Sequence, residues 1–120
     1  MATKDSFHIN DQDLIRVSSF LSNASKVFKE NSFVKNFGYL DLFFYIYKND
    51  KLLNQRVRFK DLSIYSSKSD VYLTKFLKNG IESGYLTFTK NKQDKRIKNY
   101  HVTDKSKPFL NAISNFERLG

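Results

Sequence analysis

The segment FKDLSIYSSKSDVYLTKFLKNGIESGYLTFTKNKQDKRIKNYHV, residues 59–102, decides the fold of this 120-residue chain. A short helix is predicted over Phe59–Tyr65, and the polar residues Ser66–Ser69 that follow it predict a turn. A second helix then extends to about Ser83. Gly84 ends this helix, because glycine readily takes the left-handed conformation at a helix C-terminus.

The second helix has a recognisable start and two contrasting faces. Ser67 and Asp70, three residues apart, match a capping box, in which the serine accepts from a backbone amide and the acid reaches back. The inward stripe of this helix recurs every three or four residues and contains Leu73, Phe76 or Leu77, and Ile81. The opposite face is basic and hydrogen-bonding, with Lys68, Val71, Tyr72, Lys75, and Lys78 or Asn79.

Two alternating segments, Tyr85–Thr89 and Lys98–Val102, predict a β-hairpin around a polar tip. The net charge over residues 90–98 is +4, because one acid, Asp94, stands among Lys90, Lys92, Lys95, Arg96 and Lys98. Like charges packed into a tip repel one another, and a phosphate backbone offsets this repulsion by releasing its counterions. The plainer alternative is a solvated β-turn.

The flanking segments complete the predicted architecture. Asp11–Glu30 has apolar residues at spacings of three and four, which predicts an amphipathic helix capped by Asn10 or Asp11. Gly38–Asn49 is apolar almost all round and is predicted to be the central buried helix. A loop, a very short strand and a closing helix are predicted over Asn49–Asn54, Gln55–Arg58 and Lys105–Leu119.

This order of elements is mainly α with a small antiparallel β-hairpin wing, an α+β arrangement typical of a winged helix-turn-helix. The major groove of DNA is wide enough for the capped second helix, and the hairpin tip then reaches the adjacent phosphates or the minor groove. Lysines suit phosphates or guanine edges, and Tyr72 suits a phosphate or a thymine methyl. The residues expected to contact double-stranded DNA are Ser67, Lys68, Ser69, Tyr72, Lys75, Lys78, Lys90, Lys92, Lys95, Arg96 and Lys98. The alternative for the helix is an ordinary amphipathic element with solvated lysines.

The distribution of charge agrees with a polyanionic partner. Residues 1–50 contain six basic and six acidic residues, whereas residues 51–120 contain fifteen basic and six acidic residues. The whole excess of +9 therefore lies in the part that carries the second helix and the hairpin. A lysine-rich solvated surface is the alternative explanation.

Several classes of function are not expected. The chain has no cysteine, and its two histidines, His8 and His101, are far apart, so we expect no metal site and no cofactor. It has no glycine-rich phosphate loop and no Gly-x-Ser-x-Gly turn, so we do not expect an enzyme. No apolar run approaches the roughly 20 residues of a membrane span, and Met1–Asn10 lacks the apolar stretch of a signal peptide. We therefore expect a cytoplasmic protein without a membrane partner.

The segment from about Gly38 to Asp104 resembles the MarR/SarA group of winged-helix bacterial regulators. The wing motif of that group is matched by Asp94-Lys95-Arg96 and, after five residues, by Val102-Thr103. The stretch before the wing is echoed by Ile81-Glu82-Ser83-Gly84-Tyr85-Leu86. The resemblance implies that Arg96 enters the minor groove and that Asp94 orients it, whereas the alternative is a simple ion pair within a turn.

The resemblance also implies the organisation of the chain. We expect a single DNA-binding domain over residues 1–120, with the helix-turn-helix and wing in 56–103 and homodimerisation through the helices at 11–30 and 105–119. The sequence departs from the group at Gly80, where a buried leucine is usual and where Ile81 is expected to compensate in packing. Only one helix follows the wing, which leaves the dimer interface open, and the sequence does not identify a small-molecule effector.

The sequence-specific transcriptional regulator is the main prediction, and three alternatives keep the same fold. They are a phage or plasmid replication protein, an architectural protein that coats AT-rich DNA, and a winged helix used for protein–protein contact. A fold does not determine which of these is correct.

Overall fold

The structure, a computed structural model, describes residues 10–116. Within them the helices are α1 (Asp11–Glu30), α2 (Phe37–Tyr47), α3 (Phe59–Tyr65), α4 (Asp70–Ser83) and α5 (Lys107–Ser114). The strands β1 (Leu86–Lys90) and β2 (Lys98–Val102) form an antiparallel hairpin in which Phe88 faces Tyr100. The predicted α+β winged helix-turn-helix is confirmed.

Helix α2 lies at the centre of the core, as predicted. Its residues Leu40, Leu42, Phe43 and Ile46 are buried, because this helix is apolar on nearly every side. Aromatic rings extend the core outward from α2, and the ring of Phe33 alone contacts the rings of Tyr39, Phe43, Phe76 and Tyr85.

Helix α1 is capped as predicted but is only partly packed. The side chain of Asn10 accepts hydrogen bonds from the amides of Gln12 and Asp13. In the C-terminal half of the helix, Ala24 and Phe28 are buried. The stripe continues toward the N-terminus as Leu14, Val17 and Leu21, and these three residues are exposed.

The predicted loop over Asn49–Asn54 is wrong, because α2 continues directly into a π-helical turn over Lys48–Leu52. Asn49 is buried, and its side-chain amide donates to the carbonyl of Tyr45 at 2.8 Å. Asn49 therefore makes a specific contact, whereas Lys48 and Lys51 of the same turn are exposed. The polarity of the segment suggested a loop because no local pattern shows which of its residues have partners.

The predicted strand Gln55–Arg58 does not form. Val57 is buried, and its carbonyl accepts one hydrogen bond, at 2.8 Å, from the amide of Tyr100 in β2. A single bond attaches this segment to the hairpin without producing a strand.

The start of α4 also differs from the prediction, since Ser69 rather than Ser67 caps the helix. The hydroxyl of Ser69 accepts from the amide of Tyr72 at 3.2 Å. Ser66 accepts from the amide of Lys68 at 3.0 Å, and this local turn places the start of the helix two residues later than expected. The end of α4 is as predicted, with Gly84 at a φ of 83°.

The closing helix is shorter than predicted. A 3₁₀ turn over Asp104–Ser106 precedes α5, and the helix ends at Ser114. The side-chain amide of Asn23 in α1 donates to the carbonyls of Ala112 and Ile113, at 2.8 and 3.1 Å, and so holds the end of α5 against α1. Residues 117–119 of the predicted helix lie outside the described residues.

Gly80 is buried in α4, and the space that a larger side chain would occupy there is filled by residues other than the expected Ile81. A Cβ at this position would lie 2.4 Å from Cδ1 of Leu86 and 2.9 Å from Cζ of Phe33. Leu86 and Phe33 therefore occupy the space of the missing side chain, whereas Ile81 is only half-buried. The expectation that Ile81 compensates is wrong.

We expect Gly80→Leu to lower the free energy of unfolding by roughly 1–2 kcal/mol, because an overpacking cost of up to about 3 kcal/mol outweighs the roughly 1 kcal/mol gain in helix propensity. Urea unfolding followed by circular dichroism measures the change. The exposed Thr74 on the same helix offers the control Thr74→Leu, which should leave the midpoint nearly unchanged. Equal midpoints for the parent and Gly80→Leu would contradict the close packing of Leu86 and Phe33 around this glycine.

Candidate nucleic-acid interface

The N-terminal half of α4 presents an exposed polar face. Ser67 and Lys68, just before the helix, and Lys75 within it are exposed, and all three belong to the predicted contact set. The side chain of Ser69 is engaged as the helix cap, and it fixes where the helix begins. Lys78 lies one turn further on, with its Nζ 3.9 Å from a carboxylate oxygen of Glu82. The predicted residues nearest the start of α4 are therefore the best placed to reach a groove.

Tyr72 is half-buried between this face and the core. Its ring packs edge-on against Tyr39 of α2, with centroids 5.7 Å apart, and Nζ of Lys68 lies 5.1 Å from the Tyr72 ring centroid. Burial, together with the nearby Tyr39, raises the pKa of Tyr72 above its ordinary value. Tyr72 therefore stays a neutral hydrogen-bond donor and also braces α4 against α2.

Val71 was not included in the predicted contact set, although the sequence placed it on the outward face. It is 80% exposed, in the first turn of α4 between the predicted contact residues. An apolar side chain there suits the methyl group of thymine. The sequence could have indicated Val71 as a contact residue, because it is an apolar residue on an otherwise polar face of the helix.

The tip of the wing is an ordered turn. The side chain of Asn91 accepts from the amides of Gln93 and Asp94, and the amide of Asn91 donates to the carbonyl of Ile97 at 2.8 Å. This arrangement closes residues 91–97 into a compact loop between the strands. The basic side chains at the tip are therefore held together in spite of their mutual repulsion.

Asp94 and Arg96 form a forked ion pair at this tip. Nε and Nη2 of Arg96 each lie 3.0 Å from a carboxylate oxygen of Asp94, and the Arg96 amide adds a third bond at 3.1 Å. These hydrogen bonds hold the pKa of Asp94 below its usual range. The Arg96 side chain is nevertheless 91% exposed, so that Asp94 directs the guanidinium while leaving it available.

The lysines of the wing lie close to one another. Lys90 and Lys98 are direct cross-strand partners, and like charges at such positions destabilise a sheet. Nζ of Lys98 lies 4.5 Å from the ring centroid of Phe88. Lys92 and Lys95 are exposed nearer the tip. The structure thus concentrates on one hairpin all five predicted basic contacts of the wing.

A basic cleft between the start of α3 and the wing was missed in the sequence. It has a volume of about 450 Å³ and is lined by Arg58, Phe59, Lys60, Arg96, Ile97, Lys98 and Tyr100, four of which are cationic and none acidic. Arg58 forms an ion pair with Asp61. Partial burial acts to raise the pKa of Asp61, but the hydrogen bonds and positive charge of Arg58 outweigh it, and the pKa lies below its usual value. In the sequence, the only indication of this cleft is the excess of positive charge after residue 50. That Lys60 lines the same cleft as residues of the wing depends on the tertiary structure.

Over residues 10–116, no cluster of three His, Asp or Glu side chains is placed to hold a metal ion. Among the helices of the same residues, none combines the length and the apolar character needed to cross a bilayer.

The sequence matches no protein-family model, and no curated protein is significantly similar to it. Solved structures are similar in fold. A mutant of MepR from S. aureus has a TM-score of 0.64 at 16% identity, covering 89% of this chain and 75% of its own.

Two further structures give the same result. A MarR protein from Peptoclostridium difficile has a TM-score of 0.59 at 24% identity, covering 89% of this chain and 69% of its own. The adhesin competence repressor AdcR from Streptococcus pyogenes has a TM-score of 0.51 at 24% identity, covering 84% and 70%. The chain therefore has the winged helix-turn-helix fold of the MarR-type proteins, as its sequence resemblance had predicted.

Proposed function

We propose that this protein is a transcriptional regulator that binds double-stranded DNA as a homodimer, with α4 in the major groove and the wing at the minor groove. The observation that carries the proposal is the pairing of an exposed polar face on α4 with the forked Asp94–Arg96 pair at a basic tip. A narrow, AT-rich minor groove attracts an arginine presented in this way. The neighbour AdcR is itself named a repressor, which agrees with this proposal.

The DNA contacts fall into two groups. Lys68, Val71, Tyr72 and Lys75 would face the major groove, with Ser67 and Ser69 at the start of the helix. Lys90, Lys92, Lys95, Arg96 and Lys98 would follow the phosphates and the minor groove, with Asp94 orienting the arginine. The cleft containing Lys60 would extend the phosphate contacts on the other side of the wing.

A second copy of the chain is proposed as the partner of α1. Leu14, Val17 and Leu21 are exposed and share one face of the helix with the buried residues Ala24 and Phe28. Nearby, Phe20 packs edge-on against Phe116, with ring centroids 5.6 Å apart, so that α1 and the C-terminal region form one surface. An apolar stripe that is half covered within the protomer favours coverage of the rest by another protomer.

Selection of bound fragments from the source genome at about 0.15 M salt, where non-specific binding is weak, tests the proposal. A short inverted repeat near promoters is the expected result. A diffuse AT-rich pool would instead support an architectural protein. Recovery of no DNA would overturn the proposed function and favour a protein-binding role.

We expect Lys75→Ala to weaken binding to the selected site by about three- to tenfold, on the scale of a single lysine contact. The matched control is Lys78→Ala, nearer the C-terminus of the helix and beside Glu82, which should weaken binding less. Fluorescence anisotropy with labelled duplexes measures both. If Lys75 contacts a base, selection with the variant will change the preferred site, and if it contacts a phosphate the site will persist. An unchanged affinity would remove Lys75 from the interface.

A further inference from the structure

Asp50 in the π-helical turn is bound to the wing through both of its carboxylate oxygens. Oδ1 lies 3.0 Å from Nδ1 of His101, and Oδ2 accepts from the amide of Val102 at 2.9 Å. The side chain of Asp50 is only 13% exposed. Nζ of Lys51 also lies near this carboxylate, 3.8 Å from Oδ2.

His101 extends this connection across the hairpin. A carboxylate can only accept hydrogen bonds, so Nδ1 carries a proton and donates to Asp50. The other ring nitrogen, Nε2, lies 3.0 Å from the hydroxyl of Thr89 on β1. One acidic side chain on the extension of α2 is thus connected to both strands of the wing.

The hairpin needs such support, because two strands alone are marginally stable in water. Its inner face packs on the core through Leu86, Tyr100 and Val102. Its outer face carries Thr89 and His101, which are hydrogen-bonded to each other, and the bond from His101 to Asp50 connects this face to the helical body.

Helix α2 therefore holds both proposed DNA-contacting elements. Near its start, the ring of Tyr39 packs against Tyr72 and Phe76 of α4, and its hydroxyl accepts from the side chain of Asn79 at 3.0 Å. At its end, the π-helical turn presents Asp50 to β2. Helix α2 and its π-helical extension therefore contact both α4 and the wing, in addition to the direct packing of Leu86 against Gly80.

We propose that Asp50, acting through His101, is a positioning residue that holds the wing at the separation from α4 needed to engage both grooves at once. This inference rests on the proposed DNA binding for its function. Its structural part, the attachment of the wing by Asp50, can be measured without DNA. Asp50 does not touch the DNA in this proposal.

The first test is a double-mutant cycle between Asp50 and the wing tip. Asp50→Asn is expected to weaken binding to the selected duplex by about tenfold, the scale of losing a hydrogen bond to a charged group. In an Arg96→Ala background, Asp50→Asn should leave the affinity for the duplex almost unchanged, because the position of the wing matters little once its arginine is absent. In a Lys75→Ala background the tenfold loss should persist. Equal losses in all three backgrounds, or no loss, would overturn the proposal.

Matched variants separate positioning from charge and from folding. Asp104→Asn removes an equal charge at an exposed site beside the hairpin and should leave affinity nearly unchanged. His101→Leu removes the bridge without touching Asp50, and His101→Asn restores a donor near the position of Nδ1. We expect His101→Leu to lose affinity and His101→Asn to recover part of it. Equal affinities for these two variants would contradict a role for the bridge. This comparison of the two His101 variants remains valid even if Asp50→Asn fails to fold.

Amide hydrogen exchange provides the readout that does not depend on DNA. His101→Leu and Asp50→Asn should accelerate exchange in Lys98–Val102 and leave α4 unchanged. If the parent does not bind DNA but this local acceleration occurs, the proposed function fails while Asp50 remains the anchor of the wing. If the parent binds DNA and exchange in the wing does not change, the anchor itself is refuted.

Discussion

Replacement of Arg96 by alanine is expected to lower the affinity for the selected duplex by about ten- to a hundredfold, the scale of an arginine that reads a groove. The guanidinium is 91% exposed and is held outward by Asp94, so its loss removes contacts with DNA but none with the core. The thermal midpoint should therefore be unchanged. The slope of log affinity against log salt concentration should also become shallower, by about the 0.9 expected for the loss of one phosphate contact.

The matched control for Arg96 is Lys29→Ala, which removes one positive charge from an exposed position in the last turn of α1. It should change neither the affinity nor the salt slope beyond a small non-specific effect. If Arg96→Ala binds as tightly as the parent, the wing has no part in recognition. The Asp94–Arg96 pair would then be only a surface ion pair, worth about 0–1 kcal/mol.

Val17→Asp is expected to convert the protein from a dimer to a monomer and to weaken binding to an inverted repeat by at least a hundredfold, since linked half-sites gain about 10²–10⁴ in avidity. Val17 is 55% exposed on the apolar face of α1, so the substitution costs the isolated protomer little. A carboxylate facing a second apolar surface would be buried without a partner, which is strongly unfavourable. Sedimentation velocity at micromolar concentration measures the assembly state.

Gln12→Asp introduces the same charge on the opposite face of α1 and should leave the dimer intact. A parent protein that sediments as a monomer would refute the homodimer, although DNA binding by one protomer would remain open to test. A Val17→Asp variant that stays dimeric would place the interface elsewhere. Binding of the monomeric variant to a single half-site should match that of the parent, because α4 and the wing are untouched.

The arrangement of the candidate site could be predicted where its residues are neighbours in sequence. Asp94 and Arg96 are two residues apart within one turn, and their pairing follows from that proximity. The lysines of the wing are exposed because they lie at or beside its polar tip, beyond the pair Phe88 and Tyr100. The basic cleft lined by both Lys60 and Lys98 was missed, because no local pattern connects the start of α3 with a strand far along the chain.

By itself, the sequence determined the elements whose causes are local. Apolar periodicity determined α1 and α4, an almost continuously apolar segment determined α2, Asn10 capped the first helix, and Gly84 ended α4 at a positive φ. Only the tertiary structure decided that Lys48–Leu52 is a π-helical turn rather than a loop, since Asp50 bonds to His101, 51 residues away. It also decided that Asn23 of α1 donates hydrogen bonds to the carbonyls at the end of α5, and that Leu86 fills the space beside Gly80. Caps and periodicity act within a few residues, whereas hydrogen bonds and packing between distant segments exist only after the chain has folded.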